Sequence, residues 1–185
     1  MAAKWNEAEF ASIFREHYQQ TLGIARRVVR SRSQAEEVCA EVFWRLYRAG
    51  PQPLSGGTVR GWLFRTASRA AIDVLRANKR RGEDQEFPSV DLEDRRDDAL
   101  RRLLRREEID EVRKVLARLD VSKAQLLLLR HSGLSYAEVA SAMNVRPSSV
   151  GTMLARAEDE FYKMYARKAL RDKSATPLRA AKEEQ

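Results

Sequence analysis

A single cysteine, Cys39, stands among 185 residues, so no disulfide can close within the chain and nothing points to an oxidising compartment. Cys39 falls on an apolar helical stripe, the setting of a small core residue rather than a nucleophile. Histidine is almost as scarce. His17 and His131 lie far apart, and neither has another histidine or cysteine at ligand spacing, which leaves no metal site. No run of about 18 apolar residues exists to span a bilayer. The opening MAAKWNEAEF has no apolar signal core, so no membrane insertion and a cytoplasmic location are expected. A glycine-rich phosphate loop is also missing: Gly56-Gly57 sits in a connection containing proline and serine, without the spacing or the lysine of a nucleotide loop. These absences argue against an enzyme and against any cofactor. No strand-like alternation of useful length occurs either, and the expected fold is all-α.

What the chain has in excess is positive charge. Lysine and arginine number 35 against 27 acidic residues, a net charge of +8 that favours an acidic partner such as nucleic acid. An ordinary soluble basic protein would show the same balance, so motifs must decide.

Three amphipathic segments come first. Residues 7–30 carry Phe10, Ile13, Phe14, Tyr18, Leu22, Ala25, Val28 and Val29 at spacings of three and four. The second opens at Ser33-x-x-Glu36, read as a capping box, and continues with Ala35, Val38, Cys39, Val42, Phe43 and Leu46 on one face. Pro51, Pro53, Gly56 and Gly57 mark a loop. The third runs from about Val59 into Lys79-Arg80-Arg81, with Trp62, Leu63, Thr66, Ala67, Ala70 and Val74 assigned inward and Arg65, Arg69 and Arg76 outward. Trp62 is expected to anchor the core.

Composition then shifts. Residues 82–99 are rich in aspartate and glutamate, contain Pro88 and hold few apolar residues, so they read as an acidic flexible linker that cannot bury enough surface to order itself. A second helical domain follows over residues 100–169: a helix ending near Leu119, another over residues 123–131, with His131 at its end, and then the most informative stretch. The charged tail, residues 170–185, contains Pro177 and is expected to be disordered. The organisation is two small helical domains joined by an acidic linker.

Residues 134–161, LSYAEVASAMNVRPSSVGTMLARAEDEF, specify two short helices and a tight turn. Ser135 and Glu138 form a capping box. Ala137, Val139, Ala140 and Met143 make a small apolar stripe. Asn144 suits a left-handed turn residue, and Pro147 suits the first position of the next helix, where its missing N–H would be unpaired anyway. Val150, Leu154, Ala157 and Phe161 share one face, leaving Ser148, Ser149, Thr152, Met153 and Arg156 pointing away. Small polar groups and an arginine near a helix N-terminus suit contacts to phosphates and base edges in a major groove. Two helices of an ordinary bundle would share much of this pattern.

The signatures AEEVCAEVFWRLY, WLFRTASRAAIDVLRANKRR, VLARLDVSKAQLLLLRHSGLSYAEVASAMNV and SVGTMLARAEDEF, in this order, resemble the bacterial RNA polymerase sigma factors of the extracytoplasmic-function (ECF) type, in the sigma-70 family. These are minimal sigma factors with only the second and fourth sigma domains. The resemblance covers about residues 10–81 and 109–165. It implies a region-2-like domain over residues 7–81, which binds core RNA polymerase and recognises and melts the −10 element. A region-4-like domain over residues 100–169 would recognise the −35 element.

On matching positions, the resemblance places the polymerase contact on Glu37, Glu41 and Arg45, which also fit a solvated helix face with an i,i+4 ion pair. Ala40 stands where the family commonly has glutamine. The loop spanning 50–61 and the helix after it would capture the −10 element, with Arg60, Arg65, Arg69, Arg76, Lys79 and Arg80 as cations along the freed strand. Ser68-Arg69 replaces a usual Arg-Asn pair. The second helix of the helix-turn-helix would enter the −35 major groove through Arg146, Ser148, Ser149, Thr152 and Arg156. Gly151, Thr152 and Met153 replace a common lysine, serine and arginine there, and Glu158 a common basic residue, which implies a different −35 preference or weaker affinity. The partners implied are core RNA polymerase, promoter DNA with −35 and −10 elements, and an anti-sigma factor. Two other readings stay open: a stand-alone helix-turn-helix regulator of duplex DNA, and a sigma-like adaptor without promoter recognition.

Overall fold

The computed structural model describes the backbone of residues 4–29, 31–51, 58–81 and 99–180, and the side chains of these except 99–103 and 168–180. Among the described residues it is helical throughout: α1 (Glu7–Val28), α2 (Arg32–Ala49), α3 (Val59–Arg80), α4 (Ala99–Leu116), α5 (Val121–His131), α6 (Tyr136–Met143) and α7 (Pro147–Ala180). Of the predicted acidic linker, 82–99, residues 82–98 lie outside the described residues and Ala99 is the first residue of α4.

Four helix starts have a side-chain cap close at hand. Asn6 caps α1 by accepting from the Ala8 amide, Thr58 caps α3 through the Gly61 amide, and Asp120 caps α5 through those of Ser122 and Lys123. For α2 the cap is Ser31, which accepts from the Gln34 amide, rather than Ser33. Ser33 lies within the first turn, where its hydroxyl donates to Glu37 at 3.2 Å. Gly50, at φ 74, lets the chain turn away at the end of α2, a conformation in which a side chain would be strained.

The first three helices enclose Ile24, Ala25, Val28, Val42, Phe43, Leu46, Leu63, Phe64 and Ile72. Burying each large apolar side chain contributes about 1.5–3 kcal/mol. The Trp5 indole N–H donates to the Leu46 carbonyl at 2.9 Å and ties the entry of α1 to the end of α2. Cys39 is fully buried, and burial pushes its thiol up to about 11. The last helices enclose Leu119, Leu126, Leu129, Leu134, Val139, Val150, Leu154 and Ala157.

Helix α3 departs from the one-sided pattern expected of it. It packs against α1 and α2 and also against α5 and α6. Its buried positions are therefore Leu63, Phe64, Ala67, Ser68, Ala71, Ile72, Leu75 and Asn78, while Trp62, Thr66, Ala70 and Val74 are only half-buried. Arg65 and Arg76, expected to point outward, are half-buried where α5 and the end of α4 close over them; Arg69 is exposed. The two sets of helices thus meet along α3.

At the other end, α7 continues to Ala180, through Pro177, where no regular structure was expected after residue 169. The stretch carries Leu170, Arg171, Lys173, Leu178, Arg179 and alanines, all good helix formers, and they carry the helix on despite the cost of about 3 kcal/mol that a proline imposes inside it. Residues 181–185 lie outside the described residues.

Candidate nucleic-acid and polymerase interfaces

The helix-turn-helix is built by local rules. At the start of α6 the Ser135 hydroxyl accepts from the Glu138 amide at 3.3 Å, and the Glu138 carboxylate accepts from the Ser135 amide at 2.7 Å. These hydrogen bonds from the Ser135 backbone and side chain, with the Arg60 guanidinium nearby, hold the Glu138 carboxyl below the usual carboxylate range. Asn144 takes the left-handed conformation (φ 56, ψ 48), which lets the Val145 amide reach back to the Ala140 carbonyl at 3.0 Å and close the helix end. Pro147 then opens α7.

On α7, Val150, Leu154 and Ala157 are buried, so the opposite side is turned outward. Arg146, Ser148, Thr152 and Arg156 are all exposed there. Ser149 is half-buried, and Met153, assigned outward from the sequence, instead packs against the core. Tyr136, at the first position of α6, lies across the face beside Gly151 and carries the Arg130 guanidinium 5.5 Å from its ring centre.

Glu37, Glu41 and Arg45 share the exposed face of α2, with Arg45 donating to Glu41 at 2.7 Å. Ala40 is exposed on the same face. Sequence reasoning missed two members of this surface. Trp44 is 55 % exposed and Tyr47 45 %, with ring centres 6.0 Å apart in a near-parallel stack. Their signal was position: Val42, Phe43 and Leu46 fill the core side, which leaves 44 and 47 outside the stripe.

The cations assigned to −10 DNA divide into two groups. Arg69, Lys79 and Arg80 are exposed, with Arg69 facing Asp73 at 3.4 Å. Arg60, Arg65 and Arg76 are half-buried at the junction of the two helical sets. Arg60 pairs with Glu138, Arg76 donates to the Leu119 carbonyl, and the Arg65 carbonyl accepts from the Gln125 amide at 3.1 Å. An open groove of about 750 Å³ brings Glu37, Glu41 and Arg45 of α2 opposite Arg65 and Arg69 of α3. Of the loop before α3, residues 52–57 lie outside the described residues. Among the described residues no group of three potential ligands can hold a metal ion, and no helix is long and apolar enough to cross a membrane.

The chain is thus a three-helix unit packed through α3 against a helix-turn-helix unit. Comparison with known proteins gives it a family. Residues 13–81 match the model of Sigma-70 region 2, and residues 109–160 match that of Sigma-70, region 4. The RNA polymerase sigma-H factor of Pseudomonas aeruginosa is 29 % identical over 153 residues, covering 78 % of this chain and 79 % of that protein. Two solved structures share the fold. One is CnrH, solved in complex with the cytosolic domain of CnrY (TM-score 0.57, 17 % identity, 88 % of this chain and 90 % of that one). The other is the sigma factor RpoE of Bartonella quintana, solved with the anti-sigma factor NepR (TM-score 0.53, 16 % identity, 84 % of this chain and 95 % of that one).

The chain belongs to the sigma-70 family as an RNA polymerase sigma factor of the ECF type. It directs promoter recognition by RNA polymerase, with core polymerase and promoter DNA as partners, and is not an enzyme. Membership decides against the stand-alone regulator, whose reading left the region 2 signatures without a role.

Proposed function

We propose a division of labour between the two helical units. Residues 7–81 hold core polymerase through the α2 face, with Glu37, Glu41 and Arg45 as its polar contacts and Trp44 and Tyr47 as apolar anchors, since exposed aromatic side chains concentrate binding energy at interfaces. The cations of α3, Arg60, Arg65, Arg69, Arg76, Lys79 and Arg80, take the −10 element and its opened strand. Residues 100–169 read the −35 element through Arg146, Ser148, Ser149, Thr152 and Arg156. The observation that carries this reading is the sidedness of α7: Val150, Leu154 and Ala157 are buried while Arg146, Ser148, Thr152 and Arg156 face solvent. The protein acts in the cytoplasm, where its polymerase and promoter are. An anti-sigma factor is its regulatory partner, by analogy with the relatives solved in complex with CnrY and NepR.

Run-off transcription with purified core polymerase, using genomic fragments that include the region upstream of its own gene, tests the assignment. Discrete transcripts that require the protein are expected. Arg156→Ala and Arg69→Ala should each weaken them. If both variants match the parent, the −35 and −10 assignments are wrong.

A further inference from the structure

The groove between α2 and α3 carries charges of both signs. Glu37 and Glu41 of α2 and Asp73 of α3 line it together with Arg45, Arg65 and Arg69. Carboxylates repel phosphate, so this lining does not suit a run of backbone. It suits a neutral group with hydrogen-bonding edges. The charges on α2 are engaged within their own helix: Arg45 donates to Glu41 at 2.7 Å, and Glu37 accepts from the Ser33 hydroxyl at 3.2 Å.

Arg69 and Asp73 are held less tightly. The Arg69 Nε donates to the Asp73 Oδ2 at 3.4 Å, long for a hydrogen bond, and the two side chains are 55 % and 56 % exposed. An exposed i,i+4 pair of this kind is weak, and a ligand that serves both partners displaces it. The contact engages Nε and one oxygen, so the two Nη groups and Oδ1 can take a ligand. Arg80 falls on the same face of α3 about three turns further on. It is exposed beyond the groove, placed to meet the backbone of a strand whose base enters it.

We propose that Arg69 and Asp73 together select a guanine in the opened −10 strand. The inference rests on the −10 assignment above. A guanidinium fork needs two adjacent acceptors, and a carboxylate fork needs two adjacent donors. Guanine offers both: O6 and N7 for Arg69, N1–H and the N2 amine for Asp73. Cytosine has the adjacent acceptors but a single donor group. Adenine and thymine have neither pair. In a duplex the N1–H and one N2 hydrogen of guanine are taken by its partner, so Asp73 reads them on an unpaired base. The pair is thereby specific to opened DNA.

Labelled oligothymidine strands carrying one dG, dA, dC, deoxyinosine or 7-deaza-dG test the pair. Anisotropy reads their binding to the full-length chain on core polymerase, against core alone. The dG strand should bind about tenfold tighter than the dA, dC or unbroken dT strands, the scale of one bidentate base contact. Deoxyinosine, which lacks the N2 amine, and 7-deaza-dG, which lacks N7, should each lose part of that advantage. Asp73→Asn, a change at an exposed side chain, should close the gap between dG and deoxyinosine. Arg69→Lys keeps the cation but loses the fork, and should close the gap between dG and 7-deaza-dG. Equal binding of all bases by the parent, or gaps that survive both variants, would overturn the inference. So would dGMP competing as well as the dG strand, since the guanine would then be that of a free nucleotide. Arg80→Ala should weaken every strand alike. If strands bind through Arg80 without base preference, the guanine pair alone has failed. If no strand binds better than to core alone, the −10 assignment has failed, and the guanine pair with it.

Discussion

The Tyr136 ring lies 3.7 Å from the point at which Gly151 would carry a Cβ atom, so α7 is flat where the ring crosses it. That distance is ordinary van der Waals contact, and Gly151 has no positive φ to preserve. Gly151→Ala is therefore sterically permitted. It removes a glycine from a helix interior and should stabilise the fold by about 0.5–1 kcal/mol, read as a raised urea midpoint with unchanged slope. A lower midpoint would mean that Tyr136 depends on the missing side chain.

The Ser135–Glu138 box links this region to pH. Glu138 has its carboxyl held below its ordinary value of 4.5, first by the Ser135 backbone N–H, then by the Ser135 hydroxyl, with Arg60 adding to both. A depressed folded-state value contributes stability that is present above the unfolded value and lost as pH falls through the folded one. Urea midpoints should therefore fall below pH 4.5 in the parent. The profile of Glu138→Gln should start lower at pH 7 and descend less steeply on acidification. Parallel profiles would show that the carboxylate adds nothing.

How far such details were legible depends on how local their causes are. The capping box, the left-handed Asn144 and the opening proline of α7 are fixed by neighbours within six residues, and the chain shows them directly. Two serines, Ser31 and Ser33, both satisfied the rule for starting α2, and only geometry selects Ser31. The second face of α3 had no local signal. Gln125 meets Arg65 and Ser68 across 60 and 57 residues, and no periodicity within α3 announces a partner so distant. Arg65 and Arg76 were read as outward for that reason. Trp44 was passed over because an aromatic residue in a helix is first assigned to the core.

Cys39 provides a probe of the first unit. With its thiol buried and pushed up to about 11, it should be inert to a disulfide reagent at pH 8 in the native protein and react fully in urea. Cys39→Ala leaves a small void and should cost about 1 kcal/mol. Fast native reaction at Cys39 would show that α1 and α2 separate readily.

The exposed pair on α2 separates polymerase binding from stability more sharply than the charged residues beside it can. Glu41 and Arg45 satisfy each other within α2, and an exposed i,i+4 pair contributes only about 0.3–0.5 kcal/mol, so replacing either one changes little in the free protein. Trp44 is different: more than half its surface is in water, and among the described residues its ring meets just one other aromatic ring, that of Tyr47. Leaving such a ring exposed forgoes hydrophobic stabilisation that a partner surface can recover. Trp44→Ala should leave the urea midpoint within about 0.5 kcal/mol of the parent, as for other surface substitutions. Its affinity for core polymerase should drop by about 2 kcal/mol or more, some thirtyfold, as for aromatic residues at interface centres. Tyr47 also packs edge-on against Phe10 at 5.1 Å, so Tyr47→Ala should lower both quantities. Binding of labelled polymerase to the three proteins, alongside their denaturation curves, checks this contrast. Unchanged polymerase affinity in Trp44→Ala would remove α2's aromatic pair from the interface and leave the contact to Glu37, Glu41 and Arg45.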